Sequence, residues 1–308
     1  MMRAAVAIAR KHARRYCSDV CGSNDRNRRA YERKTVAVVP PIKWAGGKRW
    51  ALDRVRRVYR YHRRSRLVEP FAGAAAISLG LRPTAAHLND ANPLSIAFLR
   101  RLAEGLVIPE TIANDRSKET YLANRDRLND LIADGSVESD DAAALFYIIA
   151  RSAFNGLWRT NRAGLMNTPW GGDGEPVERD LGPYQRVLKD WSFSTGDFEA
   201  VSLVDDDFLF VDPPYDGGFV GYAAGGFGLA DQTRLVAWMT SHRGPIVAMN
   251  AATPRILSLY RDAGFTVKRI RAPRRVSADG DRTGTLEMIA TRNTSAFDAY
   301  DSELEDVS

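Results

Sequence analysis

The sequence predicts an α/β fold, a doubly wound sheet interrupted by an inserted, mainly helical subdomain. Three observations carry this. Short apolar strand patterns alternate with helical patterns on both sides of the middle of the chain. A small-residue turn follows the first strand pattern, and an acid ends the second. Between residues 104 and 185 the alternation stops, and helical periodicity takes over.

In chain order, Pro40-Pro41-Ile42-Lys43-Trp44-Ala45-Gly46-Gly47-Lys48 is a Pro-then-Gly segment leading into a basic helix through about Arg60. Arg66–Phe71 reads as a buried strand that runs into Ala72-Gly73-Ala74-Ala75-Ala76 and a helix through about Gly80. Ala85–Asp90 is a second strand, followed by a helix from Pro93 to Leu102. Helical patterns cover Ser117–Ala133 and Asp140–Ser152, and a Gly/Asn-rich patch runs from Asn155 to Gly174. The α/β rhythm returns with a strand at Phe208–Asp212, the helix Ala230–Ser241, the strand Pro245–Asn250 and the helix Pro254–Ala263. Strands near Thr266–Arg271 and Thr285–Thr291 complete it. The expected organisation is a basic, disordered arm over 1–37, an α/β domain over 38–103 and 186–292, the insertion over 104–185 and an acidic, disordered tail over 293–308. No internal repeat points to a solenoid.

The net charge of +6 is concentrated at the ends. Residues 1–34 carry ten Lys/Arg against three Asp/Glu, and residues 293–308 carry five acids and no base, so the chain between them is only +4. Global basicity is therefore weak support for a nucleic-acid partner. Cys17 and Cys21 are the only cysteines, too few for a disulfide framework or a zinc site, which fits a reducing compartment and a cytoplasmic location. No apolar run approaches the roughly 18 residues of a membrane span.

The chemistry centres on Asp212-Pro213-Pro214-Tyr215, directly after an apolar strand. In an open parallel sheet, ligands bind beyond the carboxyl ends of the strands, where this turn falls. The exocyclic amine of a nucleobase is a poor nucleophile because its lone pair is delocalised into the ring. A carboxylate and a proline carbonyl that accept its two N–H groups localise that pair, and Asp212 and Pro213 supply both. Stiff prolines reduce the ordering entropy lost on binding, and Tyr215 offers a face on which to stack an extruded base. The turn at Gly73 lets backbone approach a cofactor closely, and Asp90 stands where a carboxylate takes ribose hydroxyls. Each of these two features alone has an ordinary structural reading, a packing turn and a helix cap.

With these residues in place, the chain resembles the Dam family of adenine-N6 DNA methyltransferases from about Pro40 to Asn293. The most specific matches are Lys43–Lys48, Phe154-Asn155-Gly156-Leu157 with Arg159 and Asn161, Asn167 with Pro169 and Gly171, and Asp212–Tyr215. The resemblance implies a Rossmann-like methyltransferase sheet as catalytic domain, with 104–185 as the DNA target-recognition subdomain. It implies S-adenosylmethionine as cofactor, double-stranded DNA as substrate, direct displacement without a metal, and a cognate restriction endonuclease or a phage setting as a candidate context. Carried over by position, Trp44, Lys48, Phe71, Gly73, Asp90, Asp197, Phe198 and Asp212 line the cofactor pocket. Lys48 would lie near the cofactor's carboxylate, Phe198 against its adenine, and Asp212 would serve both the target amine and the cofactor amine. Lys43, Phe154, Asn155, Leu157, Arg159, Asn161, Asn167 and Pro169 face DNA, with Phe154 or Asn155 filling the gap left by the flipped base. An arginine fork such as Arg159 suits guanine O6 and N7.

Two departures from the family pattern stand out. Ala75 replaces a second glycine of the first turn, and Gly172-Asp173 replaces the Arg-Tyr of the best-known GATC methylases, which puts GATC recognition in question. Competing readings are an N4-cytosine methyltransferase, which usually has Ser before Pro-Pro-Tyr, and an inactive DNA-binding relative, against which intact Asp90, Asp212 and Tyr215 speak. A C5-cytosine enzyme needs a thiolate that neither Cys17 nor Cys21 supplies from the sheet region.

Overall fold

The computed structural model describes residues 38–216, 226–273 and 285–294, with the backbone of 305–306. The whole basic arm with both cysteines, and Arg274–Ser277 and Arg282, lie outside the described residues. Strands β1 (Leu67–Glu69), β2 (Ala86–Asp90), β3 (Ser192–Thr195), β4 (Phe208–Val211), β5 (Ile246–Ala251), β6 (Thr266–Ala272), β7 (Thr285–Arg292) and β8 (Glu305–Asp306) form one sheet. Their order is β3-β2-β1-β4-β5-β7-β6-β8. β1 pairs in parallel with β2 and β4, placing Leu67 opposite both Ala86 and Phe208. β7 runs antiparallel between β5 and β6.

Strand order reverses between β1 and β4, so the turns leaving these two neighbours open a crevice at their carboxyl ends. The sequence explains why these strands are central. All residues of β1 and β4 are buried, as expected of strands covered on both faces. Leu209 and Val211 pack with Leu235, Met239, Ile256 and Tyr260 on one side, while Phe208 meets Tyr59 edge-on at 5.1 Å on the other.

Helix α1 (Leu52–Tyr59) buries Leu52, Val55, Val58 and Tyr59 and turns its arginines outward. Helix α2 (Ala76–Leu81) follows Ala75, whose φ of 53° is left-handed. Helix α3 (Pro93–Glu104) has Pro93 in its first turn and a side-chain cap from Asn92, whose Oδ1 accepts from Leu94 N. Helices α4 (Lys118–Ala133) and α5 (Asp140–Ser152) are capped by Ser117 and Ser139. Helix α6 (Gly182–Leu188) precedes β3, and α7 (Leu229–Ser241) and α8 (Pro254–Asp262) flank β5. The insertion is built against α3, which touches both α5 and α6, while α4 packs on α5.

Two differences from expectation concern weakly patterned segments. Helix α6 and β3 carry no clear apolar period, and β3 is a mostly exposed, polar edge strand held by backbone pairing to β2. The expected boundary at 185/186 therefore falls inside α6. The tail expected to be disordered contains β8, which pairs antiparallel with β6. The reason is physical: β6 otherwise presents an open edge of unpaired N–H and C=O groups. Among the described residues no helix is long and apolar enough to cross a membrane.

At the opposite ends of the central strands, Asp207 is fully buried and Arg66 grips it through Nε at 2.9 Å and Nη2 at 2.6 Å. Removing the guanidinium leaves a buried carboxylate with the Val204 N–H still donating to it. Arg66→Ala should therefore cost about 2–3 kcal/mol, read as a lower urea midpoint at unchanged slope. A midpoint equal to that of the parent protein would show that the pair adds nothing.

Candidate active site

The turn Asp212–Tyr215 leaves the sheet at the end of β4, and every side of it is held. The Pro214 carbonyl accepts from Gln232 Nε2 at 2.9 Å. The Tyr215 hydroxyl donates to Glu287 Oε2 at 2.7 Å, tying the turn to β7. Asp216 is pinned by two contacts from the Arg255 guanidinium and by the Thr253 hydroxyl. Asp212 faces Lys48, whose Nζ lies 3.1 Å from Oδ1. The same Nζ donates to the Gly46 carbonyl at 2.7 Å and sits 4.6 Å over the Tyr215 ring.

Asp212 Oδ1 is buried and has no donor in hydrogen-bond alignment, with the Lys48 ammonium beside it at 3.1 Å as an ion-pair partner. Burial raises the Asp212 pKa, and the Lys48 charge opposes that rise. Burial, then the neighbouring Asp212 and Glu287 carboxylates, pushes the Tyr215 phenol well above its ordinary value, so it remains a donor. Glu287 is raised by burial and held back chiefly by Lys48.

The second wall of the crevice is the turn after β1. Gly73 has φ +49°, and a Cβ there would come within 2.6 Å of Trp44 Nε1, so glycine is required by both conformation and space. Its N–H donates to Asp90 Oδ2 at 2.8 Å, and its carbonyl accepts the Ser95 hydroxyl. Asp90 Oδ1 accepts from Asn92 N at 2.9 Å. Asp90 thus braces the turn, and Asn92 is the residue that caps α3. Burial raises the Asp90 pKa, and the two backbone donors oppose it. Asn89 joins three strand ends by donating to the Pro70 and Gly196 carbonyls, each at 3.0 Å.

The aromatic part of the expected pocket is more closed. Phe198 is 2% exposed, surrounded by Phe71, Phe227 and Trp238, with the Arg234 guanidinium 4.8 Å over its ring. The expectation that Phe198 packs directly on cofactor adenine meets a ring already covered, and half-buried Phe71 is the more accessible of the pair. Asp197 accepts from Glu199 N and pairs with Arg234 at 2.9 Å, so it fixes the Phe198 turn.

The recognition hairpin docks directly onto the Lys43–Lys48 segment. Ala45 N donates to the Gly156 carbonyl, and a Cβ on Gly156 would lie 2.7 Å from Lys43 Cβ. Lys43, Asn155, Arg159 and Pro169 are exposed, Leu157 is half-buried, and Phe154 is 47% exposed, so these side chains are available to a ligand. Asn161 and Asn167 also brace the hairpin itself. Asn161 Oδ1 accepts from Ala163 and Leu165 N–H and closes the hairpin turn. Asn167 accepts from Arg159 through its side-chain oxygen at 2.8 Å and its carbonyl at 2.9 Å. Both asparagines spend their acceptors inside the hairpin, and Arg159 is left with its terminal Nη1/Nη2 edge outward. Trp158 is buried 4.8 Å from Phe146, and Trp170 Nε1 donates to the Arg116 carbonyl, so both tryptophans prop the hairpin.

The structure therefore brings Lys48, Asp212 and Tyr215 into one cluster and Trp44, Gly73 and Asp90 into a second beside it. Residues not singled out from sequence are Asp216, Gln232, Arg255 and Glu287; Glu69 and Asn250 entered only as members of expected strands. The readable signal was a polar residue ending an apolar strand, as at Glu69 and Asn250.

Comparison with known proteins agrees with this geometry. A family model described as D12 class N6 adenine-specific DNA methyltransferase matches residues 44–275. The chain is 34% identical over 270 residues to a DNA N-6-adenine-methyltransferase of Escherichia phage P1, covering 80% of this chain but only 34% of that protein. It is 31% identical to a DNA adenine methylase of Vibrio cholerae, covering 81% of this chain and 94% of the relative. It is 28% identical to the retron Ec67 DNA adenine methylase of Escherichia coli, covering 84% and 93%.

Glu69 supplies a test of the crevice's stability. Its Oε1 accepts from Ser78 N at 2.7 Å and from the Ser78 hydroxyl, and burial pushes its pKa from the usual 4.5 up to about 8. The acid is neutral in the fold and ionised in the unfolded chain between these values. Stability should therefore fall as pH rises from about 4.5 through about 8, by up to about 1.4 kcal/mol per pH unit. Glu69→Gln, a neutral mimic, should flatten this dependence in urea denaturation at pH 5 to 9. An unchanged slope would contradict it.

Proposed function

The chain belongs to the D12 class of N6 adenine-specific DNA methyltransferases, and from that membership we propose that Asp212–Tyr215 is its catalytic turn and S-adenosylmethionine its methyl donor. The reaction of the class is site-specific methylation of adenine N6 in DNA. The observation that carries the residue assignment is the buried Asp212 Oδ1, an acceptor without an aligned donor on a turn held through the Pro214 carbonyl and the Tyr215 hydroxyl.

The residues fit the cofactor: Gly73 brings bare backbone against the Trp44 indole at the crevice, and Lys48 offers a cation beside the neighbouring turn. When bound, S-adenosylmethionine supplies an electrophilic methyl group. The chain's own residues prepare the amine. Asp212 accepts one N–H and the Pro213 carbonyl the other, which draws the lone pair out of the ring. Their geometry is set before the base arrives, so little reorganisation is left for the reaction. The Tyr215 ring, backed by Lys48 and tethered through Glu287, stacks the flipped base. Lys43 and the hairpin from Phe154 to Gly171 approach the duplex, with Arg159 offering a two-donor edge to a guanine. Gly172 has φ +106°, a conformation unfavourable to other residues, so the departure from Arg-Tyr is built into the backbone.

Labelled-methyl transfer to adenine-containing DNA tests this reading. Asp212→Ala should lower the rate at least about 100-fold; unchanged transfer would refute the role of the carboxylate. A second outcome concerns pH. Asp212 must be ionised to accept the amine, so activity falls as pH drops through its pKa. Lys48 lowers that pKa, so Lys48→Met should move the acid limb of the single-turnover rate to higher pH, and an unmoved limb would contradict the pairing.

A further inference from the structure

Two buried amides behind the catalytic turn, both fully shielded from solvent, form a directed chain to it. Ala251 N–H donates to Asn250 Oδ1 at 2.8 Å. Asn250 Nδ2 donates to Gln232 Oε1 at 2.8 Å, and Gln232 Nε2 donates to the Pro214 carbonyl at 2.9 Å. The ends of this chain fix its polarity. A backbone N–H can only donate and a proline carbonyl can only accept, so neither amide can be reversed without facing like against like. Gln232 lies in the first turn of α7 and Asn250 near the end of β5, so two separate elements converge on one carbonyl of the turn.

We infer that Gln232 and Asn250 are positioning residues that select which proline carbonyl receives the target amine. The turn contains two adjacent carbonyls, and a proline carbonyl carries a full acceptor whichever residue owns it. Gln232 occupies that of Pro214, and no described residue donates to that of Pro213. The amine thus meets one acceptor beside Asp212 rather than two in competition. With the relay broken, the Pro214 carbonyl becomes an unpaired buried acceptor and the turn can rotate to satisfy it with the amine, out of line with the methyl donor. This inference rests on the assignment of Pro213 and Asp212 to the target amine.

The test uses the full chain, S-adenosylmethionine and adenine-containing duplex DNA. Gln232→Met keeps the volume and removes the donor. It should lower the single-turnover rate about 10- to 100-fold while cofactor and DNA affinities stay within about threefold. Gln232→Glu provides a readout that packing alone would not move. Protonated, the carboxyl donates to Pro214 and accepts from Asn250 as glutamine does; ionised, it opposes the carbonyl. Its activity should therefore approach the parent's at low pH and fall away as pH rises, a dependence absent in Gln232→Met. Asn250→Asp, which reverses the polarity of the relay, should show the same rate loss should the Gln232 variants fold poorly. Parent-like rates in Gln232→Met, or the same pH profile in the Met and Glu variants, would overturn the inference. Absence of methyl transfer by the parent protein itself would instead overturn the catalytic assignment beneath it.

Discussion

The proposed reaction requires Asp212 as a carboxylate, and it sits where burial favours the neutral acid. Lys48 is what reconciles these demands, and much of the surrounding structure follows from placing that one cation. Its ammonium is fixed by the Gly46 carbonyl and the Tyr215 ring, so it needs the Gly46-Gly47 turn and a rigid catalytic turn together. The Pro-then-Gly segment that delivers Lys48 also lays Trp44 against Gly73 and Ala45 against Gly156. A stretch of six residues from Lys43 to Lys48 thus touches the Gly73 turn, the Asp212 carboxylate and the hairpin at Gly156.

The turn after β4 is held by three contacts, each to a different part of the fold. Pro214 is tied to α7, Tyr215 to β7 and Asp216 to α8 and the residue before it. Such matching is costly to leave incomplete, since a buried polar atom without a partner loses about 1–3 kcal/mol. Asp212 Oδ1 and the Pro213 carbonyl are acceptors left without an aligned donor among the described residues, and in the proposed reaction they are the two that the substrate amine satisfies.

The sheet was legible because its central strands are continuous apolar runs and its helices carry Ser, Asn and Pro at their starts. Expected and observed bounds agree for α5 and differ by a residue at the ends of β2, β4 and α7. Helix α6 and β3 were not legible, since a seven-residue helix and a polar edge strand owe their form to neighbours rather than to a local pattern. In the site, Asp212, Tyr215 and Lys48 could be named from the motif segments they occupy. Gln232 could not, because its role exists only when residues 18 positions away on either side meet it. Asn161 and Asn167 were legible as members of the hairpin but not as its braces. An asparagine in a turn looks the same in sequence whether it faces a ligand or its own backbone.

That last distinction bears on how the class can change its target site while keeping its reaction. The hairpin strand at Met166–Thr168 is held to α4 through Asn129, which both donates to the Met166 carbonyl and accepts its N–H, and through the Tyr121 hydroxyl on the Thr168 carbonyl. These bonds engage backbone alone, so they are indifferent to which side chains the hairpin presents. Leu157 and Pro169 sit on this frame, and Arg159 is part of it through its bonds to Asn167. The left-handed backbone of Gly172 belongs to the frame as well. In the proposed reading the hairpin's exposed side chains can vary without disturbing its backbone anchors, whereas Lys48, Gly73 and Asp212 are each bound by charge, space or burial to one another's surroundings.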